Sequence, residues 1–323
     1  MAARGIKHLV VLGDFGFLWP GHNWGIDLDK LSRRLTMAGQ ILAFVDGNHE
    51  GFDILLKFPI ADDGLRWIRP NIVHIPRGYR TVLESGATLA ALGGANSVDI
   101  GHRVLGRSVW SEESVTEVDL AALGHHRADI LIGHDAPLNL PTLDAWLAAT
   151  DHGWPPAGRA YSAAGRAMFH RGFLQVQPRL YLGGHYHRHI DELVTYPAGD
   201  AEFQTRVVIL DQGGPASATS QGILDVETLE LEYIARDNAG RAQRTRMCPY
   251  RHAGTPRMSR PESRSAVRRD DAPRVAGEPS AGRRCATAES RFAHGEWQLL
   301  SIGIGTDPDK PPRAPTPSMV ACD

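Results

Sequence analysis

The sequence has few cysteines and no long apolar run. Its three cysteines, Cys248, Cys285 and Cys322, are late and widely spaced, which argues against a disulfide framework and against a zinc ribbon. No run approaches the ~20 apolar residues of a membrane-spanning helix, and no signal peptide is visible. With 42% hydrophobic and 22% charged residues, the composition is typical of a soluble globular protein. We therefore expect a cytoplasmic protein without a membrane partner.

Charge is divided unevenly along the chain. Residues 1–234 carry 19 Lys and Arg against 27 Asp and Glu, a net charge of −8. Residues 235–323 carry the other 16 basic and 10 acidic residues, a net charge of +6. The acidic region offers no basic face for duplex DNA. Nucleic acid is therefore not expected as a partner, apart from a weak contact of the basic tail.

The composition also changes near residue 234. Residues 1–234 alternate strand-like and helix-like patterns, which favours an α/β fold. Residues 235–323 are rich in Arg, Pro, Ser, Ala and Gly and lack apolar periodicity, so they predict a mostly disordered tail. Residues 137–160 form a Pro- and Gly-rich segment. It is either a flap that shapes a substrate site or a surface connection.

Apolar runs and turn residues predict the following elements. Strands are predicted at 8–13, 41–46, 72–75, 80–84, 88–92, 129–133, 180–183, 189–195, 205–210 and 223–226. Helices are predicted at 27–38, 50–57, 116–124 and 159–175. The late run of strands without helices indicates a second sheet.

Four short polar motifs each follow an apolar, strand-like run. They are Gly13-Asp14, Gly47-Asn48-His49-Glu50, Gly133-His134 and Gly184-His185-Tyr186-His187. Open α/β sheets place their sites at the carboxyl ends of strands, so these side chains are expected to meet. Carboxylate and amide oxygens together with imidazole nitrogens suit Mn, Fe or Zn better than Mg or Ca. His185 and His187 lie two residues apart, and alternate residues of a strand share a face.

In these motifs the sequence resembles the calcineurin-like metallophosphoesterases. That family is marked by D-x-H, then G-D, then G-N-H-[DE], then G-H, then G-H-x-H. The last four motifs are present here, and no D-x-H stands before Asp14. The resemblance covers roughly residues 1–234. A closer resemblance is to bacterial and phage members with G-G-x-x-S-x-D-x-x-x-R followed by W-x-E, which here begin at Gly93 and at Trp110.

The resemblance implies a four-layer α/β/β/α sandwich that lacks its N-terminal strand, and a centre for two divalent metal ions, with Mn favoured. Asp14 would bridge the two ions. Asn48, His134 and His185 would complete one metal position. His187 would join Asp14 at the other, where the absent D-x-H would supply two more ligands.

The implied activity is hydrolysis of a phosphate monoester or diester. A metal-bound water becomes hydroxide near neutral pH and attacks phosphorus in line. His49 would lie on the leaving-group side, as a proton donor or as a stabiliser of negative charge. Glu50 or Asp46 would orient it. The substrate would be a phosphorylated small molecule or another phosphoester.

Two further residues are candidates for substrate binding. Arg103 either binds a substrate phosphate through a bidentate fork or forms an ion pair with Asp99 or Glu112. His152, within the segment 137–160, is a second candidate. Trp110 is expected to pack rather than to stack on a substrate.

The absent D-x-H leaves two questions open. The first residues, MAARG, read like the end of a helix, which predicts a true start about twenty to thirty residues upstream. The alternative is a genuine, metal-deficient chain. Loss of metal ligands would also suit a non-catalytic scaffold or binding protein on the same fold. A nuclease is disfavoured because the acidic region lacks a basic groove.

Overall fold

The computed structural model describes residues 5–213, 219–236, 242–245 and 296–300. Its helices are α1 (Trp24–Ala38), α2 (Phe52–Leu55), α3 (Glu117–Leu123), α4 (Pro141–Ala149) and α5 (Pro156–Val176). Its strands are β1 (His8–Leu12), β2 (Ile41–Val45), β3 (Arg66–Arg69), β4 (Ile72–His74), β5 (Arg80–Val82), β6 (Thr88–Leu92), β7 (Ile130–Gly133), β8 (Leu180–Gly183), β9 (Ile190–Ala198), β10 (Ala201–Ile209), β11 (Gln221–Asp225), β12 (Leu231–Arg236), β13 (Ala242–Thr245) and β14 (Glu296–Leu300).

These strands form two mixed sheets. The first has eight strands in the order β13-β12-β11-β14-β1-β2-β4-β3, and the second has six in the order β5-β6-β7-β8-β10-β9. In the first sheet β14, β1, β2 and β4 run parallel. In the second, β6, β7, β8 and β10 run parallel. The antiparallel pairs lie toward the sheet edges, and the fold is mixed α/β, as the alternation of patterns predicts.

Buried apolar side chains form three clusters. One joins the facing sides of the two sheets and includes Val10 of β1 and Leu182 of β8. A second joins the first sheet to α1 and α2 and includes Val11 and Leu28. The third joins the second sheet to α3, α4 and α5 and includes Phe169. Neighbouring residues of β1 thus serve different clusters, which explains why its sequence is continuously apolar rather than alternating.

Each predicted strand and helix overlaps an observed one. The segment 137–160 contains a helix that was not predicted, α4. Pro141 begins this helix, where its fixed φ is favourable, and Leu140 and Leu143 are buried against the second sheet. This part of the segment therefore packs into the core and is not merely a surface connection.

The prediction that residues 235–323 are mostly disordered is wrong for two segments, which form the strands β13 and β14. β14 lies inside the first sheet, parallel to β1 and antiparallel to β11. Trp297 is 2% exposed and Leu299 is 0% exposed. These two apolar residues alternate with period two, which is a strand signal, but the signal is short and lies in a tail that is otherwise rich in Arg, Pro, Ser, Ala and Gly. The rest of the tail, with the three cysteines, lies outside the described residues.

The predicted helix end at residues 1–5 also lies outside the described residues, except for Gly5. Within the described part of the chain, no helix combines the length and the apolar character needed to span a membrane.

The buried position of β14 predicts that Trp297→Ala lowers the free energy of unfolding by about 3–5 kcal/mol, because the truncation leaves a cavity between the sheets. Urea unfolding followed by circular dichroism measures this change. Trp154→Ala is the matched control, since Trp154 is only half-buried and lies between α4 and α5. Equal effects of the two substitutions would contradict the position of β14.

Candidate metal centre

Asp14 lies in a tight turn directly after β1. Gly13 has φ 90° and Asp14 has φ 54°, and a β-carbon at Gly13 would overlap the ring of His134. The buried carboxylate of Asp14 accepts the backbone N–H of His49 at 2.9 Å and lies 3.2 Å from His134 Nε2. Burial alone would raise the pKa of Asp14, but the charges of His134 and His49 hold it well below its usual range.

Glu50 holds the loop that carries Asp14. Its buried carboxyl group accepts the backbone N–H of Phe15 at 2.7 Å and that of Gly16 at 3.3 Å. Burial, together with the negative charge of Asp14, raises the pKa of Glu50 well above its usual range. The hydrogen bonds of Glu50 thus anchor the β1 loop, and the prediction that Glu50 orients His49 is wrong.

Asp46, the other candidate for orienting His49, belongs to a separate buried network. It accepts from Arg77 Nε at 2.9 Å and lies 3.1 Å from His74 Nε2. Burial would raise the pKa of Asp46, but the guanidinium of Arg77 and the imidazole of His74 hold it well below its usual range. Through these two contacts, Asp46 holds the end of β2 in place.

Asn48 has its side-chain amide fixed at both ends. Its Nδ2 donates to Ser97 Oγ at 3.0 Å. Its Oδ1 lies 3.2 Å from His134 Nε2 and 3.0 Å from His185 Nδ1. Ser97 in turn bonds Glu113, with Oγ to Oε2 at 2.6 Å and N to Oε1 at 2.9 Å. Sequence reasoning included Ser97 in a motif but missed its role.

Glu113 was also missed, because the W-x-E motif pointed to its neighbour Glu112. The two residues lie in a 3-10 turn at Ser111–Glu113. Glu112 is exposed and Glu113 is fully buried. Burial raises the pKa of Glu113, while its hydrogen bonds from Ser97 act in the opposite direction. The side chain that reaches the site is thus one position later than the motif indicates.

His134, which follows β7, presents Nε2 to the other predicted ligands. Its Nδ1 is 2.7 Å from the backbone oxygen of Leu12, an acceptor only, so Nδ1 carries a proton and donates. Burial would lower the pKa of His134, but the carboxylate of Asp14 raises it above the usual value. The other ring nitrogen, Nε2, faces two oxygen atoms, Asp14 Oδ1 and Asn48 Oδ1, each at 3.2 Å.

His185 and His187 do not lie in a strand. β8 ends at Gly183, and both histidines have positive φ, 69° and 50°. The premise that they share a strand face is therefore wrong. His185 reaches Asn48, and its ring lies 5.1 Å from that of His134. His187 is exposed, and within the described residues no hydrogen bond joins it to the other predicted ligands.

The loop that carries His185 is clamped to the loop that carries His134. Tyr186 Oη donates to Asp135 Oδ1 at 2.6 Å, and Tyr181 Oη donates to the backbone oxygen of Asp135. Sequence reasoning missed Asp135, although it directly follows His134. The clamp sets the positions of the two imidazoles relative to each other.

Of the two ion-pair partners predicted for Arg103, Asp99 and Glu112, the structure shows Asp99. The guanidinium Nε of Arg103 lies 2.6 Å from Asp99 Oδ1, and its terminal nitrogen lies 3.0 Å from His49 Nε2. Burial lowers the pKa of His49 to about 4, with Arg103 acting in the same direction and Asp14 in the opposite one. Trp110 packs as predicted, with its ring 5.2 Å from that of Trp19.

His152 is not placed among these residues. Its Nε2 lies 3.0 Å from the backbone oxygen of Trp146, and its ring lies 4.1 Å from the Trp146 ring. Both contacts lie within the segment 137–160. The structure therefore gives no contact between His152 and the predicted metal ligands.

The donor set fits a cation. When His134 is neutral, the atoms that meet are lone-pair atoms, namely Asp14 Oδ1, Asn48 Oδ1, His134 Nε2 and His185 Nδ1. Either a second proton on His134 or a metal ion stabilises such a set. Ligands about 2.1 Å from one metal ion at right angles are roughly 3 Å apart. Three pairs among these atoms have such distances: Asp14 with His134 at 3.2 Å, His134 with Asn48 at 3.2 Å, and Asn48 with His185 at 3.0 Å. Even so, the described residues contain no group of three or more His, Cys, Asp or Glu in an arrangement typical of a metal site.

Comparison with protein-family models finds no match for this chain, and comparison with curated proteins finds no significant match either.

The close approach of the loops predicts that Gly47→Ala is destabilising, by about 1–3 kcal/mol. A β-carbon at Gly47 would overlap the Asp14 carboxylate and lie 2.9 Å from His134 Nε2. Gly25→Ala is the matched control, because the nearest atom to its β-carbon is 3.9 Å away and Ala is favourable in a helix. Urea unfolding compares the two variants. A Gly47→Ala protein as stable as Gly25→Ala would show that the loops are not this close.

Proposed function

We propose that this chain is a metal-dependent phosphohydrolase acting on phosphate monoesters or diesters. One observation carries the proposal: oxygen and nitrogen atoms of Asp14, Asn48, His134 and His185 converge from the ends of four strands. The order of the apolar clusters, with helices outside two facing sheets, supports the four-layer α/β/β/α sandwich of the calcineurin-like metallophosphoesterases. The motifs of the sequence support the same family.

Asp14, Asn48, His134 and His185 would hold one divalent ion, and Asp14 with His187 would contribute to a second. Bound divalent ions, with Mn the first choice, supply an activated water molecule and neutralise charge on the phosphoryl oxygens. The protein's own contribution is to hold these ligands in place before substrate arrives. The loop anchor Glu50 serves this purpose.

His49 and Arg103 would act on the substrate side of the centre. The guanidinium of Arg103 is fixed by Asp99 and lies against the His49 ring, so a cation and an imidazole are presented together. A fixed guanidinium can bind phosphoryl oxygens through two parallel hydrogen bonds. His49 would stabilise or protonate the leaving oxygen.

A non-catalytic scaffold is the second candidate. The missing D-x-H motif and the absence of a recognised metal-binding group among the described residues favour it. His49 and its contact with Arg103 favour the hydrolase, because a scaffold needs neither. The acidic region 1–234 continues to disfavour a nuclease.

Hydrolysis is tested with an aryl phosphate monoester and the matching diester in Mn-containing buffer. Asp14→Asn and His185→Ala are expected to lower turnover by more than about 100-fold, since replacing even the partners of metal ligands costs about 10–100-fold. Bound Mn per chain is counted alongside, by elemental analysis of dialysed protein.

His126→Ala is the matched histidine control, because His126 is exposed and belongs to none of the motifs. It is expected to retain full turnover. Circular dichroism checks that each variant is folded. Unchanged turnover in Asp14→Asn would count against the site, and a folded wild-type protein that binds no Mn and cleaves neither ester would favour the scaffold.

A further inference from the structure

We infer that Ser97 and Glu113 are positioning residues that decide which end of the Asn48 side-chain amide, oxygen or NH2, faces the metal ligands. The inference rests on the proposed metal centre and adds to it a polar relay from outside the ligand set. The relay runs from Glu113 to Ser97 to Asn48, and all three side chains are buried, with exposed fractions of 0%, 0% and 4%.

The direction of each hydrogen bond follows from the carboxylate of Glu113, which accepts two hydrogen bonds from Ser97. A backbone N–H can only donate, and that of Ser97 lies 2.9 Å from one carboxylate oxygen of Glu113. The other oxygen lies 2.6 Å from Ser97 Oγ. An ionised carboxylate can only accept, so when Glu113 is ionised the single hydroxyl proton of Ser97 is donated to it.

Ser97 Oγ can then only accept from Asn48. The Asn48 amide must turn its NH2 group toward Ser97, at 3.0 Å, which leaves Oδ1 facing His134 and His185. An amide oxygen can bind a cation, whereas an amide NH2 offers hydrogen atoms and repels one. The buried carboxylate of Glu113 thus makes Asn48 a ligand rather than an obstacle.

Glu113→Gln tests this relay because it keeps the shape of the side chain and reverses the direction of its hydrogen bond with Ser97 Oγ. The backbone N–H of Ser97 requires the oxygen of the new amide, so the amide NH2 faces Ser97 Oγ and donates to it. The hydroxyl proton is then free to point at Asn48, which favours an inverted Asn48 amide. We expect Mn affinity, measured by isothermal titration calorimetry, to fall about 10–100-fold.

Glu112→Gln is the matched control, with the same substitution one residue away on an exposed side chain. It is expected to bind Mn as the wild type does. Thermal unfolding without added metal checks folding, and a midpoint for Glu113→Gln close to that of Glu112→Gln shows that packing is retained.

A second substitution separates positioning from a merely structural role. A carboxylate introduced by Asn48→Asp accepts a hydrogen bond and cannot donate one, so it suits the reversed relay. Glu113→Gln should therefore weaken Mn binding in the Asn48 background but leave it unchanged or strengthen it in the Asn48→Asp background. A structural role of Glu113 predicts the same loss in both backgrounds.

The outcomes separate the relay from the proposed function. Wild-type protein that binds Mn, with Glu113→Gln binding it equally well, would overturn the relay alone. Equal losses in both backgrounds would also overturn it. Wild-type protein that binds no Mn would overturn the proposed metal centre and the relay together.

Discussion

The buried carboxylate of Asp14 joins both sheets at one point. It follows β1, accepts the backbone N–H of His49 from the loop after β2, and faces His134 after β7 in the other sheet. A buried charge is costly unless it is paired and hydrogen-bonded, so each of these loops is held where it satisfies Asp14. The position of one charge therefore fixes the meeting of loops that are distant in sequence.

The remaining polar groups around this charge are arranged to keep the loops in place. Glu50 ties the β1 loop through two backbone N–H groups, and Arg77 ties the end of β2 through Asp46. Tyr186 ties the β8 loop to the β7 loop through Asp135. The hydrogen bonds of Glu50 are buried and the other two are partly buried. Leaving a buried polar group without a partner costs more free energy than a hydrogen bond contributes. Such support restricts the motion of the side chains that these loops carry.

The sequence was sufficient for features set by local pattern and insufficient for those set by tertiary contact. Apolar runs located the strands, and the rule that polar residues at strand ends converge brought Asp14 and its neighbours together. The expectation that His185 and His187 share a strand face failed, because both residues follow the end of β8 and have positive φ. Sequence reasoning also chose Glu112 over Glu113, since only the 3-10 turn and the position of Ser97 decide which glutamate is buried. The strand β14 was missed because its apolar pattern is short and lies in a tail whose overall composition predicts disorder.

The location of β14 bears on how such a chain can be made. β1 pairs with β2, which follows it closely, but its other edge pairs with a strand near the far end of the sequence. During synthesis from the amino terminus, that edge stays open until residues 296–300 have left the ribosome. An open apolar strand edge is a template for pairing with other chains, and pairings that close long loops form slowly. The unpaired edge of β1 is therefore a site where the nascent protein can associate wrongly until β14 has been made.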